Sequence, residues 1–175
     1  MIKLSRVWAM PNTNTFSIKP IKELISRYKK EDEFSIDPFA NNSTVAIVTN
    51  DSRQNDDATP FYNSKHNEDA YDFLKMFDDN SVDTVYFDPP YSFYQSKIKY
   101  KTSTHLTISK SNKGYWSKIK KEIARVLKPN GICISCGWNS GGIGKCNDME
   151  ILEILIVNHG GGRNDTIVTV DKKII

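Results

Sequence analysis

The run Val82-Asp83-Thr84-Val85-Tyr86-Phe87-Asp88-Pro89-Pro90-Tyr91 constrains the fold more than any other segment. Its first six residues are rich in β-branched and aromatic side chains, the composition of a buried strand. Two consecutive prolines then stop it, because proline donates no N–H to a ladder and restrains the residue before it. The strand therefore ends on a carboxylate, a backbone carbonyl and an aromatic ring. Those groups suit a flat heterocycle carrying an exocyclic amine. Asp88 can accept one amine hydrogen, the carbonyl of Pro89 the other, and Tyr91 can stack on the ring.

The surrounding chain alternates strands and helices. Met1 to Phe16 reads as an irregular or extended arm. Pro20 opens a helix with Ile21, Leu24, Ile25 and Tyr28 on one face. A strand over 34–39 ends in Asp37-Pro38-Phe39-Ala40, and a second over 45–49 ends at Asn50-Asp51. Asn67 is a candidate cap for a helix burying Ala70, Phe73, Leu74 and Phe77. The periodicity predicts a helix over 116–127, stopped by Pro129-Asn130-Gly131, strands over 132–136 and 166–170, and an apolar element over 150–157. Glycines within 159–165 predict a hairpin turn. Residues 92–113 have no period and read as a long loop.

This order predicts one α/β domain over 1–175, its sheet mostly parallel with an antiparallel hairpin at the C-terminal end. Ligands of such sheets bind beyond the carboxyl ends of the strands. Asp37, Asp51 and Asp88 all fall there. One spacing conflicts with a simple parallel order. Only Ala40 to Thr44 separate the first two strands, fewer than the dozen or so residues of a parallel crossover. The pair is therefore expected to form a hairpin, or else not to be immediate neighbours.

Composition excludes little. The net charge of +3 is too small to argue for nucleic acid by itself. Lys97, Lys99, Lys101, Lys110, Lys113, Lys118, Lys120 and Lys121 do crowd one stretch, among Tyr94, Tyr100 and Tyr115. That stretch reads either as a solvated face or as a phosphate-contacting surface. Cys133, Cys136 and Cys146 make neither a disulfide framework nor a zinc site, and no metal is expected. Cys133 and Cys136 should point to opposite faces of a strand as buried thiols. No stretch has the length of a membrane span or the form of a signal peptide, so the expectation is a cytoplasmic protein with no membrane partner. His66, His105 and His159 read as surface or packing residues. Trp138 and Asn139 read as base-pocket lining or as turn packing, and Arg163-Asn164-Asp165 as a substrate contact.

The motifs in this order resemble the amino-methyltransferases that modify DNA at adenine N6 or cytosine N4. Asp88-Pro89-Pro90-Tyr91 is similar to their catalytic tetrad. Asp37-Pro38-Phe39-Ala40 resembles their Asp-Pro-Phe-Ala-Gly-Ser-Gly loop beside S-adenosylmethionine. Phe16-Ser17-Ile18-Lys19-Pro20 resembles the segment along that cofactor's methionine, and Lys128-Pro129-Asn130-Gly131 resembles a Lys-Pro-Gly-Gly turn. The resemblance spans roughly residues 16–171. It implies a Rossmann-like methyltransferase fold, reduced in size. It implies catalytic Asp88, Pro89, Pro90 and Tyr91, and a cofactor site of Phe16, Ser17, Lys19, Asp37, Pro38, Phe39, Ala40, Asp51 and Asp69. Within it, Asp51 would meet the ribose and Asp69 the adenine of S-adenosylmethionine.

An Asp-led tetrad leans toward adenine N6 in DNA, whose target base must flip out of the duplex. Residues 92–113 would then clasp the strand. A cytosine N4 or RNA base methyltransferase is the alternative within catalysis. A methyltransferase-like fold that binds DNA or protein without turnover is the alternative outside it. Two departures stand. Asn41, Asn42 and Ser43 replace glycines, although Asn tolerates positive φ. The crossover helix between the first strands and a separate target-recognition domain are both missing, which suggests a homodimer or recognition of little sequence.

Overall fold

The computed structural model describes residues 1–52, 64–91 and 114–175. The expected strand-clasping loop over 92–113, with Tyr94, Tyr100, His105 and the lysines from Lys97 to Lys113, lies outside the described residues. In chain order the elements are β1 (Lys3–Trp8), α1 (Lys19–Tyr28), β2 (Ser35–Asp37), β3 (Val48–Thr49), α2 (Ala70–Lys75), β4 (Val82–Phe87), α3 (Tyr115–Val126), β5 (Leu127–Gly137), β6 (Met149–Asn158) and β7 (Thr166–Lys173).

Among the described residues, the strands form one seven-stranded sheet in the order β1-β6-β7-β5-β4-β2-β3. β3, β2, β4 and β5 run parallel. β7 pairs antiparallel with both β5 and β6, which makes the expected C-terminal hairpin. β1 lies parallel to β6 at the edge, so part of the arm read as irregular or extended is a paired strand. Nearly all of its residues are exposed, which erased the alternation that marks a half-buried strand.

β4 is central because it is apolar on both faces. Val85 and Phe87 face α2 and α3, in a cluster with Phe73, Leu74, Ile119, Ile123 and Cys133. Tyr86 faces α1, in a second cluster with Ile21, Leu24, Ile25, Ile134, Cys136 and Val168. Cys133 and Cys136 thus divide between the faces, and burial pushes both thiols well above the ordinary range. α1 is tied to the sheet by buried Glu153 on β6, which accepts Arg27 Nη2 at 2.5 Å and the Tyr28 hydroxyl at 2.9 Å. Burial and that carboxylate raise the Tyr28 pKa to about 12.

Three local expectations are corrected. β2 and β3 are immediate parallel neighbours, with Ile36 opposite Val48 and Asp37 opposite Thr49. Both strands are shorter than their apolar runs, and the connection lengthens to residues 38–47 without a helix. Returning along so short a strand needs only about 7 Å. The return is pinned by Ala40 N–H to Asn50 O at 2.9 Å and Ser43 N–H to Ala40 O at 2.7 Å. Second, Asp69 rather than Asn67 caps α2, accepting the Tyr71 N–H at 2.9 Å. Third, α3 ends at Val126 and runs straight into β5, where residues 128–131 form a strand irregularity with Asn130 at φ 65°.

Among the described residues, no helix is long and apolar enough to cross a membrane. Phe73 is fully buried, with its ring edge-to-face on Phe77 at 5.1 Å. Phe73→Ala is expected to lower unfolding free energy by roughly 3–5 kcal/mol. Urea unfolding with an unchanged slope would show the loss.

Candidate active site

The parallel order β3-β2-β4 gathers three carboxylates at one end of the sheet. Asp37 is the last residue of β2, Asp51 follows β3 and Asp88 follows β4 at once. Asp37 is completely buried. Its Oδ1 accepts the Phe39 N–H at 2.9 Å, fixing the Asp-Pro-Phe turn, while Oδ2 has no hydrogen-bond partner among the described residues. Burial pushes this carboxyl well above the usual range. The Phe39 N–H opposes that rise, and the negative charges of Asp88 and Asp51 add to it.

Asp51 is also buried, and its Oδ2 accepts the Asn41 N–H at 2.9 Å. Asn41 takes the left-handed conformation at φ 51°, so the turn survives the loss of glycine. Asn50, which the sequence reading left unassigned, lashes this corner together. Its Nδ2 donates to Pro38 O at 3.1 Å and Glu68 O at 3.0 Å, and its Oδ1 accepts the Glu68 N–H at 2.9 Å.

Of the remaining expected cofactor residues, Asp69 and the turn over 38–40 adjoin this corner, while Phe16 and Ser17 line a separate cavity with Ser43 and Thr44. Asp69 spends Oδ1 on its own helix and Oδ2 on the Tyr115 hydroxyl at 2.9 Å. Pro38, Phe39 and Ala40 are buried, with the Phe39 ring against Phe87 and Trp116. Phe16 is buried edge-to-face on Tyr86 at 5.5 Å. Ser17 is exposed, its hydroxyl on Asn14 O at 2.7 Å, and Lys19 is exposed at the start of α1.

Beyond β4 the tetrad turns into open space. The Tyr91 hydroxyl donates to Asp88 Oδ1, and its ring sits 5.6 Å from that of Trp138. A cavity of about 650 Å³ runs from Asp88 and the two prolines to Asn41 and Asn42, roofed by residues of the N-terminal arm and by Arg163 and Asn164. His159 lines this cavity and also ties its wall together. Its ring bridges Ala9 O and Thr166 Oγ1, each at 2.8 Å, and holds the arm to the β6–β7 turn. A second cavity of about 340 Å³ shares Pro89, Pro90, Tyr91 and Trp138 but opens toward Trp116, Lys120, Ser135 and Asn139. The arm residues in the large cavity carried no sequence signal, since arm and turn are joined only in three dimensions.

No family model matches the chain. It is similar to the Type II methyltransferase M2.MboI of Moraxella bovis, 30% identical over 102 residues. That match covers 48% of this chain and 36% of the relative, so the chain spans about a third of its length. Solved structures share the fold. A SAM-dependent methyltransferase of Methanosarcina mazei aligns with TM-score 0.56 at 14% identity, covering 87% of this chain and 97% of that one. TrmN of Thermus thermophilus aligns at 0.59 and 13%, covering 90% and 49%. The 1,6-didemethyltoxoflavin-N1-methyltransferase of Burkholderia thailandensis, solved with S-adenosylhomocysteine, aligns at 0.58 and 9%, covering 90% and 78%. The fold is thus the Rossmann-like methyltransferase fold.

A carboxyl whose pKa is higher folded than unfolded keeps its proton longer in the native state. Stability is then lost as pH rises from near 3.8 through the folded pKa. Asp37→Asn removes that loss, so the fall in melting temperature from pH 4 to pH 7 should be smaller in the variant. Equal falls in the two proteins would contradict the burial argument.

Proposed function

We propose that this chain transfers methyl groups from S-adenosylmethionine to the exocyclic amine of a nucleobase, with adenine N6 in DNA as the substrate. The observation that carries this reading is the placement of Asp88 and Pro89 in the lining of the large cavity, one strand away from the buried Asp37. An aromatic amine is a poor nucleophile because its lone pair is delocalised into the ring. Asp88 and the Pro89 carbonyl would hold both hydrogens and turn the lone pair outward. A carboxylate has about four lone-pair sites, so Asp88 can keep the Tyr91 hydroxyl and still take an amine hydrogen. Its charge would also stabilise the positive nitrogen of the transition state. Tyr91, braced by that bond and flanked by Trp138, would support the base face.

The fit to the cofactor rests on Asp37. A buried carboxyl oxygen without a donor suits an ammonium or hydroxyl delivered by a ligand. Asp37 and Asp51 would hold the methionine and ribose ends, and the turn over 38–41 would shape their wall. Bound S-adenosylmethionine would supply the electrophilic sulfonium methyl. Exposed Lys118 and Lys121, on the helix that lends Trp116 to the smaller cavity, suit a phosphate backbone. M2.MboI, a Type II methyltransferase, supports DNA as the polymer.

One observation favours a second reading, a fold of this kind that binds nucleic acid without turnover. Asp51 lies closed beneath the Asn41 amide. Calorimetry with S-adenosylmethionine separates the two, since micromolar binding supports the enzyme and silence at millimolar supports the binding module. Asp88→Ala should lower methyl transfer to mixed-sequence DNA by about 10²–10³-fold or more, with cofactor affinity nearly intact. Digestion to nucleosides after transfer of labelled methyl would identify the base. Full turnover by Asp88→Ala would remove the tetrad from the mechanism.

A further inference from the structure

The geometry points to the smaller cavity as a donor-selective subsite for a planar nitrogen heterocycle, with Ser135 as its selecting residue. The class of ligand rests on the methyl-transfer reading, but the selectivity comes from a hydrogen-bond chain outside the tetrad. Ser135 on β5 stands opposite Thr169 on β7, and their hydroxyl oxygens are 2.6 Å apart. Thr169 in turn donates to Asp171 Oδ2 at 2.9 Å. Asp171 is fully buried and also receives the N–H groups of Ile143, at 3.1 Å, and Gly144. Burial raises the Asp171 pKa, while the Thr169 hydroxyl and the two N–H groups oppose the rise by favouring the charged form, which is an acceptor only.

The direction of the chain follows. Thr169 has one hydroxyl proton, and Asp171 takes it. The short contact to Ser135 must then be made by the Ser135 proton. What Ser135 turns toward the cavity is lone pairs, so it can accept but not donate. Two side chains there have the opposite sense. Lys120 Nζ donates to the Gly142 carbonyl and keeps further protons. The Asn139 side-chain oxygen accepts the Gly141 N–H at 3.0 Å, which leaves its NH₂ as a donor. An accepting hydroxyl beside these two donors, in a lining that includes Trp116, Trp138 and Pro90, matches a ring edge that pairs an N–H with a ring nitrogen. Adenine and cytosine present such an edge.

The test compares 9-methyladenine, which carries the amine, with 9-methylpurine, which has no N–H at all. Ligand-observed NMR titration of the wild type should show a preference for 9-methyladenine of about tenfold, the worth of one hydrogen bond. Asp88→Ala removes the tetrad's proposed hold on the amine and should leave the share of that preference that Ser135 supplies. In the Asp88→Ala background, Ser135→Ala should reduce it to near unity and Ser135→Thr should restore it. Thr169→Val frees the Ser135 proton to donate, so 9-methylpurine should gain affinity, a change that loosened packing alone would not produce. If Thr169→Val does not fold, the Ser135→Ala and Ser135→Thr pair decides. A preference that vanishes with Asp88→Ala but survives Ser135→Ala overturns the subsite and leaves the methyl-transfer reading intact. Absence of any preference in the wild type overturns the subsite outright.

Discussion

The site depends on one backbone constraint, the stop that Pro89 and Pro90 impose on the central strand. β4 is buried on both faces and flanked by β2 and β5, so its end is placed by the whole sheet. Proline removes the donors that would let it continue. The turn therefore opens at the carboxyl edge with Asp88 beside the tips of β2 and β3. It also stands between the two cavities, both of which it lines. A looser turn would leave the acid and the carbonyl free to separate, and orientation is what an amine substrate would need from them.

Clustered acids at the strand tips carry a cost to stability. Asp37 lies buried with one oxygen unpartnered among the described residues and like charges near it, an arrangement that favours the protonated form. Folding alone gives no reason for this, since an apolar residue would pack there at less cost. The arrangement makes sense if a ligand completes it. Strain of this kind belongs where a protein works rather than where it merely holds together.

Much of this was legible from residue order. The end of β4 and the positions of Asp37 and Asp51 follow from proline and asparagine punctuation, which acts locally. The division of Cys133 and Cys136 between two faces follows from the strand period alone. Other features depend on partners far along the chain. Asp69 and Asn67 are equally good caps by type, and the choice falls with the Tyr115 hydroxyl that reaches Asp69 from α3. The parallel pairing of β2 and β3 turns on the left-handed Asn41 and the cross-links of Asn50, neither of which leaves a periodic trace. The one visible sign of the buried chain at β7 was an acid, Asp171, inside an otherwise alternating apolar strand. Its meaning needed Thr169, Ile143 and Ser135 in place around it.

The tether at His159 has a mechanical corollary. The arm that roofs the large cavity continues from β1, which among the described residues has a neighbour on one side only. Outer strands open more readily than inner ones, at a small fraction of the global unfolding energy. Occupancy of the cleft and fraying of that outer strand are therefore coupled. A molecule seated beneath the roof would slow amide exchange along the first ten residues, and a pull on the amino terminus would be felt as weaker retention.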